Sequence, residues 1–136
     1  MMTITNYKNL DNNFIKEIED FTEGEFFQLF YLFSEVNDVN YGSTKLINAY
    51  ILKDGKCQII GLITNNAYFL FAKNWKKTQL EKISKISNLQ NCPKNFQFLG
   101  TEKFIKELFV LNGLELDVIK NRSFYKSRIQ VTNATF

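Results

Sequence analysis

The residue types that commonly carry out catalysis are few in this chain and are not grouped. The sequence contains no histidine, which excludes a Cys–His nucleophile and any site that needs an imidazole base or ligand. Carboxylates come close together only at the spacing of a solvated helix surface, as in Glu17, Glu19 and Asp20. The six glycines are scattered and form no G-x-G loop that could hold a phosphate. We therefore predict no catalytic, cofactor or metal site in this chain.

The two cysteines are too few for a disulfide framework. Cys57 falls in a predicted strand, where a buried thiol acts as a small hydrophobe. Cys92 precedes Pro93, the one proline of the sequence, in a predicted loop. No signal peptide and no apolar run of membrane-spanning length is evident. These features predict a soluble protein of a reducing compartment, the cytoplasm.

Basic side chains offer two candidate binding features. Arg122 and Arg128 flank the last predicted strand beside Tyr125, where they could hold an anionic group, although an exposed strand edge or an intramolecular partner explains them as well. A lysine-rich helix near Trp75 could contact nucleic acid through Lys73, Lys76, Lys77, Lys82 and Lys85. With a net charge of only +3, a solvated helix face is the preferred interpretation, and we do not expect nucleic acid as a partner.

The elements that position these residues are organised around Leu46–Ala72, which predicts three short strands. Asp54-Gly55 predicts a type I′ hairpin turn, and Asn65-Asn66 predicts a second turn. Both sets of alternating residues in these strands are apolar, so both faces of the sheet should be covered. Gly61, in the middle strand, predicts a bulge or a close backbone approach.

Four helices surround these strands in the prediction. Apolar residues recur at helical spacing from Tyr7 to Phe21, and Thr22 with Glu25 forms a capping box for a second helix from Phe26 to Phe33. That helix is apolar nearly all round, which is typical of core packing or of a contact face for another domain. Its candidate contact residues are Phe27, Phe30 and Tyr31. Residues 35–44 are predicted to form a loop.

The C-terminal half continues with two helices and further strands. Asn74 is predicted to cap a third helix with Leu80, Ile83 and Ile86 inward, and Thr101 a fourth helix with Phe104, Ile105, Leu108 and Leu111 inward. Gly113 is predicted at the left-handed position after that helix. A short strand at 96–99 and two strands at 114–119 and 124–131 complete the sheet. The expected fold is one α+β domain over residues 1–136, with 132–136 as a tail. It has an antiparallel mixed sheet of about five to six short strands and four helices.

Several short phrases in this order carry a family resemblance. They are Cys57-Gln58-Ile59-Ile60-Gly61-Leu62-Ile63-Thr64, the aromatic strand Tyr68-Phe69-Leu70-Phe71, the Asn74-Trp75 helix start, the Phe98-Leu99-Gly100-Thr101-Glu102 helix entry, and a closing strand with Arg122 and Tyr125. From Phe21 to Val131 the chain resembles the N-terminal half of two-domain GCN5-related N-acetyltransferases (GNAT). It departs from the family at Ser123–Ser127, which replaces an R-x-Y-x-L strand, and at Asn65-Asn66.

The resemblance implies a role without catalysis for this chain. In the family, a loop of the form R/Q-x-x-G-x-G/A in the catalytic half grips the pyrophosphate of acetyl-CoA, and no such loop occurs here. The implied partner is a GNAT catalytic domain, in the same chain or a separate one, and a homodimer is a further option. The implied partner or cleft contacts are Phe27, Phe30, Tyr31, Tyr68, Arg122 and Tyr125. The chain would then be a truncated piece, a separately encoded half or a remnant.

The alternative is a stand-alone protein-interaction module, such as an immunity or adaptor protein. In that case the aromatic helix and the edge strands would contact another protein.

Overall fold

The computed structural model describes residues 1–22, 26–87, 89, 97–114, 116–119 and 128–131. For residues 22, 26–29, 116–119 and 128–131 it describes the backbone only. In chain order the elements are β1 (Thr3–Asn6), α1 (Asn12–Thr22), α2 (Phe26–Asn40), β2 (Leu46–Asp54), β3 (Cys57–Thr64), β4 (Ala67–Lys73), α3 (Lys77–Ser87), β5 (Gln97–Gly100), α4 (Glu102–Leu111), β6 (Leu116–Ile119) and β7 (Arg128–Val131).

The described strands form one mixed sheet in the order β1-β2-β3-β4-β5-β7-β6. The pairing of β4 with β5 is parallel, whereas the other pairs are antiparallel. The predicted α+β class, four helices and mixed sheet are therefore confirmed. The predicted number of strands is too low, because β1 pairs along the outer side of β2 and the sheet has seven strands among the described residues.

Two layers of helices enclose the sheet. The helices α1 and α2, the first helical layer, pack on one face through Phe14, Ile18, Leu32 and Val36. The helices α3 and α4, the second helical layer, pack on the other face. Alternate residues of β2, β3 and β4 belong to the two separate cores, so the prediction that both faces are covered is confirmed. The cover comes from helices of this same chain.

The first helix begins later than its apolar spacing predicts. Tyr7 and Leu10 precede α1, and the backbone N–H of Tyr7 donates to the Ala49 carbonyl at 2.8 Å, which extends the pairing of β1 with β2. Asp11 then caps the helix by accepting a hydrogen bond from the backbone N–H of Phe14 at 3.1 Å. The ring of Tyr7 still packs edge-on against Phe14. The prediction from the apolar spacing is therefore confirmed for the packing of Tyr7 and wrong for the position at which the helix begins.

The second helix is longer than predicted. Residues 35–40 continue α2 where a loop was expected, since Val36 is buried against the sheet. Glu35 is tolerated in this buried position because the Thr64 hydroxyl donates to its carboxylate at 2.5 Å. The capping box of Thr22 and Glu25 lies outside the residues whose side chains are described.

Both predicted turns of the central meander are present. Asp54 pairs with Cys57 across the first turn, and Gly55 has φ +61°. Lys56 has a negative φ, so this turn has the pattern of type II′, with Gly first, rather than the predicted type I′. At the second turn, the hydroxyl of Thr64 accepts hydrogen bonds from the backbone N–H groups of Asn66 and Ala67.

The close approach predicted at Gly61 is confirmed. Gly61 pairs with Tyr50, whose ring lies in the space that a Cβ atom of residue 61 would need. The bulge of β2 lies elsewhere, between Leu46 and Asn48. Gly61 therefore leaves room for the Tyr50 ring against β3.

The last two helices also differ in detail from the prediction. The helix α3 begins at Lys77, and Asn74 lies before it with φ +54°. Thr101 is the N-cap residue of α4, but its hydroxyl makes no capping bond. On α4, Phe109 is buried and Leu111 is 41% exposed, which reverses the predicted inward position of Leu111. Gly113 has the predicted left-handed conformation, with φ +68°.

We predict that Gly61→Ala destabilises the protein by about 1–3 kcal/mol, because the new methyl group must displace a fully buried ring. Chemical denaturation measures the change. The control is a double-mutant cycle with Tyr50→Leu, which removes the obstructing ring. We expect the Gly61→Ala cost to shrink in that background, and strictly additive effects would contradict the account.

Candidate functional site

The first candidate for a ligand site is the edge of the sheet at the carboxyl ends of the parallel strands β4 and β5. Each of these strands is followed by a helix of the second layer, so α3 and α4 both begin at the same edge of the sheet. In sheets with parallel strands, ligands bind beyond the carboxyl ends of those strands, where helix N-termini favour anions. The backbone groups at this edge therefore decide whether a phosphate-bearing ligand can be held.

The start of α3 is occupied by the protein itself. The backbone N–H of Lys76 donates to the side-chain oxygen of Gln79 at 2.7 Å. The amide nitrogen of Gln79, a buried residue, donates in turn to a carboxylate oxygen of Asp54 at 2.8 Å. The residues between β4 and α3 include no glycine. One N–H group is thus already paired, and the nearby carboxylate of Asp54 disfavours an incoming anion.

The start of α4 is joined to β4. The backbone N–H of Thr101 donates to the Leu70 carbonyl at 3.0 Å, and the backbone N–H of Ala72 donates to the Thr101 hydroxyl at 3.0 Å. Gly100, with φ +147°, lies against the Leu70 carbonyl so closely that a Cβ atom would collide with it. The Thr101 hydroxyl therefore extends the pairing of the two parallel strands instead of capping its own helix.

A groove lies on the outer surface between α3 and α4. Its volume is about 440 Å³. Apolar and basic side chains line it together: Trp75, Lys76, Lys77, Leu80, Lys106, Glu107, Val110 and Leu111. Val110 is 77% exposed and Leu111, its neighbour on α4, is 41% exposed.

Trp75 is held rigidly at the side of this groove. Its indole N–H donates to a carboxylate oxygen of Glu107 at 3.1 Å. Its ring packs edge-on against the buried Phe104, with 5.0 Å between the ring centroids. The half-buried Trp75 therefore presents a fixed aromatic surface, and part of the Glu107 charge is already used by the protein.

Three buried hydroxyl groups form a chain beneath the second helical layer. The oxygens of Tyr50 and Tyr68 lie 2.6 Å apart, and those of Tyr68 and Ser87 are also 2.6 Å apart. Burial raises the pKa of Tyr50 well above its ordinary value, and its phenolic neighbour Tyr68 raises it further. The chain links β2, β4 and α3, and at neutral pH Tyr50 stays protonated, so we assign it a structural role.

The residues predicted to contact a partner are distributed as follows. Phe30 is 55% exposed on α2, with its ring edge-on to that of the half-buried Tyr31 at 5.5 Å between centroids. Tyr68 is 1% exposed and bonded within the core, so it offers no surface to a partner, because its hydroxyl is needed by Tyr50 and Ser87. The side chains of Phe27, Arg122 and Tyr125 lie outside the described residues, so those predictions stay predictions.

Two further sequence-based expectations concern reactive side chains. Cys57 is buried, as predicted, and burial raises the pKa of its thiol to about 11, with a smaller effect of the Asp54 carboxylate. The thiol is thus protonated at neutral pH and a poor nucleophile. Lys76, Lys77, Lys82 and Lys85 are exposed, in agreement with a solvated helix face.

Within the part of the chain that the structure describes, no three His, Cys, Asp or Glu side chains come together as a metal-binding group. None of the helices described is both long and apolar enough to cross a membrane.

Sequence reasoning named Trp75, Lys76 and Lys77 of the groove as a candidate nucleic-acid contact, but it missed the apolar side of the groove and the contacts at the start of α3. Gln79 and Asp54 are far apart in the chain, and only the fold joins them at the start of α3. Val110 and Leu111 read as further apolar positions of an amphipathic helix. One sequence feature could have indicated that Val110 is exposed: it lies one helical turn from the charged Lys106, so the two share the outer face of α4.

Comparisons with known proteins add no family to this description. The chain matches no protein-family model, no curated protein and no solved structure.

The chain of three buried hydroxyl groups predicts which of its tyrosines contributes more to the free energy of unfolding. Tyr68→Phe removes the central hydroxyl and takes a partner from both Tyr50 and Ser87, so we expect a loss of about 1–3 kcal/mol. Tyr50→Phe leaves the bond between Tyr68 and Ser87, so its loss should be smaller, about 0.5–1.5 kcal/mol. Urea unfolding measures both, with the exposed Tyr41→Phe as the control, expected to be near neutral. Equal losses for the two core variants would contradict the bridging role of Tyr68.

The pKa of Tyr50 makes a second prediction. Because the folded state raises this pKa above its unfolded value, the folded state holds the proton more tightly, and stability falls as the pH rises above about 10. Unfolding free energies at neutral and alkaline pH measure the fall. Tyr50→Phe removes this titrating group, so its loss of stability over the same pH interval should be smaller. An equal loss in the variant and the parent protein would show that Tyr50 does not cause it.

Proposed function

We propose that this chain is a non-catalytic domain of the GNAT type, which packs against a catalytic acetyltransferase domain and helps to shape its acceptor cleft. The order of elements after β1 supports the proposal: two helices, a meander, a third helix, a short strand, a fourth helix and closing strands. In the sheet, β7 lies between β5 and β6, and the pair β4–β5 is parallel.

The contacts at the start of α3 support a role without catalysis for this chain. Acetyl-CoA, the cofactor of the family, needs free backbone N–H groups at a strand–helix junction for its pyrophosphate. At the junction of β4 and α3, Gln79 already accepts from the Lys76 N–H, and Gln79 itself is bound to the Asp54 carboxylate. These residues do not fit a pyrophosphate, and we derive no reaction step from that cofactor.

The first helical layer offers a surface for the proposed partner domain. Phe30 is more than half exposed on α2, beside Tyr31. Tyr41 is 88% exposed just beyond the end of the same helix. Exposed aromatic residues are typical of protein contacts, since they bury a large area at a low cost in side-chain entropy.

Isothermal titration calorimetry with acetyl-CoA tests this proposal. We expect no binding by this chain, while a known acetyl-CoA-binding enzyme, run in the same buffer as a positive control, gives heat. Binding in the micromolar range would contradict the proposal. The coding sequence around this segment gives a second test, because a neighbouring strand–helix unit with an R/Q-x-x-G-x-G/A loop would supply the expected catalytic domain.

A stand-alone interaction module is the second candidate, and the double cover of the sheet favours it. Because α1 and α2 cover one face and α3 and α4 the other, neither face needs another domain. Sedimentation of the purified chain discriminates the two candidates. A stable monomer that needs no acetyltransferase domain for solubility favours the module. Aggregation relieved by Phe30→Ser, but not by the control Ser34→Ala on the same exposed helix surface, favours the accessory domain.

A further inference from the structure

We propose that the groove between α3 and α4 is a docking site for an acidic segment of a partner protein that carries bulky apolar side chains. This site lies beyond the proposed function, because it depends neither on acetyl-CoA nor on a catalytic domain. The groove, of about 440 Å³, is an open surface feature formed by the two helices of the second layer. Its volume lies in the range of sites that hold a few large side chains.

The floor of the groove supplies apolar contact area. Val110 is 77% exposed and Leu111 is 41% exposed, and both lie next to each other at the end of α4. Trp75 adds an aromatic surface that is already fixed by Glu107 and Phe104, so little side-chain entropy is lost when a partner covers it. An exposed apolar patch with a polar rim is typical of a protein-binding surface.

The rim of the groove determines the charge of the partner. Lys76, Lys77 and Lys106 line it and are exposed, whereas Glu107 is its one lining carboxylate and accepts from Trp75. The two helices of the second layer are together weakly basic: α3 and α4 contain five lysines, three glutamates, no aspartate and no arginine. A segment with carboxylates beside its apolar side chains would complement both floor and rim.

A protein segment fits these contacts better than a nucleic acid does. Single-stranded nucleic acids bind along a positively charged groove in which successive bases stack on several aromatic rings. Here Trp75 is the one aromatic side chain of the lining, and the Glu107 carboxylate lies against it. The exposed apolar surface of Val110 would remain without a partner under a phosphate backbone.

A peptide-display selection on the intact chain tests the chemistry of the occupant. With a random library as the probe, we expect the enriched sequences to combine acidic residues with Leu, Ile, Phe or Trp. Enrichment of basic or uncharged sequences, or no enrichment, would overturn the proposal. The same chain is tested with single-stranded oligonucleotides, and binding of these that needs Lys76 and Lys77 would also overturn it.

The fluorescence of Trp75 can report whether a peptide binds in the groove. Trp75 is the single tryptophan of the sequence, so its fluorescence should change when an enriched peptide binds in the groove. Val110→Asp and the double variant Lys76→Glu/Lys77→Glu should each weaken binding about tenfold. All three positions are exposed, so both variants should fold as the parent chain does.

The matched control is Lys8→Glu/Lys16→Glu, which makes the same change of net charge at exposed positions before and on α1. We expect its affinity to stay within about twofold of the parent chain. Equal weakening by the control pair would mean that net charge, and not the groove, attracts the peptide. Residues 7–40 carry eight acidic side chains against two lysines, so a second copy could also supply an acidic face. Concentration-dependent dimerisation abolished by Val110→Asp would replace the partner segment with that second copy and overturn the proposal.

Discussion

The structure depends on the burial of three central strands on both of their faces. Alternate residues of β2, β3 and β4 enter two different cores, and each core is closed by its own pair of helices. Polar groups at these positions must then be paired within the protein, because water reaches neither face. The hydroxyls of Tyr50, Tyr68 and Ser87 satisfy this requirement in one core, and the pair of Glu35 and Thr64 satisfies it in the other.

This constraint also limits where the protein can act on other molecules. Tyr68, which is attractive in the sequence as a cleft residue, is consumed by the core. At the edge where α3 and α4 begin, the side chains of Gln79 and Thr101 accept hydrogen bonds from the backbone N–H groups of Lys76 and Ala72. The outer surfaces of the helices are therefore the remaining places where a partner could bind. Among the described residues, the groove between α3 and α4 combines exposed apolar side chains with a basic rim.

Local sequence signals predicted the parts of the fold that local physics determines. The turn at Gly55 and the left-handed Gly113 follow from the backbone preference of a single glycine, and the close approach at Gly61 follows from its missing Cβ atom. The turn at Asn65 is present, but neither Asn65 nor Asn66 has the positive φ for which Asn was considered suitable. The strand β1 was missed because Thr3–Asn6 is short and mostly polar and gains its structure by pairing with β2, far away in sequence. The continuation of α2 over residues 35–40 was not predicted, because these residues begin with the charged Glu35. Glu35 is buried in the helix because Thr64, which is distant in sequence, donates a hydrogen bond to it.

The candidate sites were harder to predict than the fold. The spacing of apolar residues on α4 predicts an amphipathic helix, but it does not distinguish the buried Phe109 from the exposed Leu111, which are two positions apart. That distinction depends on the angle at which α4 lies on the sheet. The fit at the start of α3 likewise depends on Asp54, which belongs to a hairpin on another part of the sheet.

Native-state hydrogen exchange tests the double cover of the central strands most directly. If each helical layer is an integral wall of the sheet, the amides of β2, β3 and β4 exchange only through global unfolding, and their opening free energies equal that measured by denaturant. Exchange of these amides through a smaller opening, in which α1 and α2 leave the sheet while α3 and α4 stay protected, would contradict the account. It would mean that one face of the sheet is covered only loosely by its own chain.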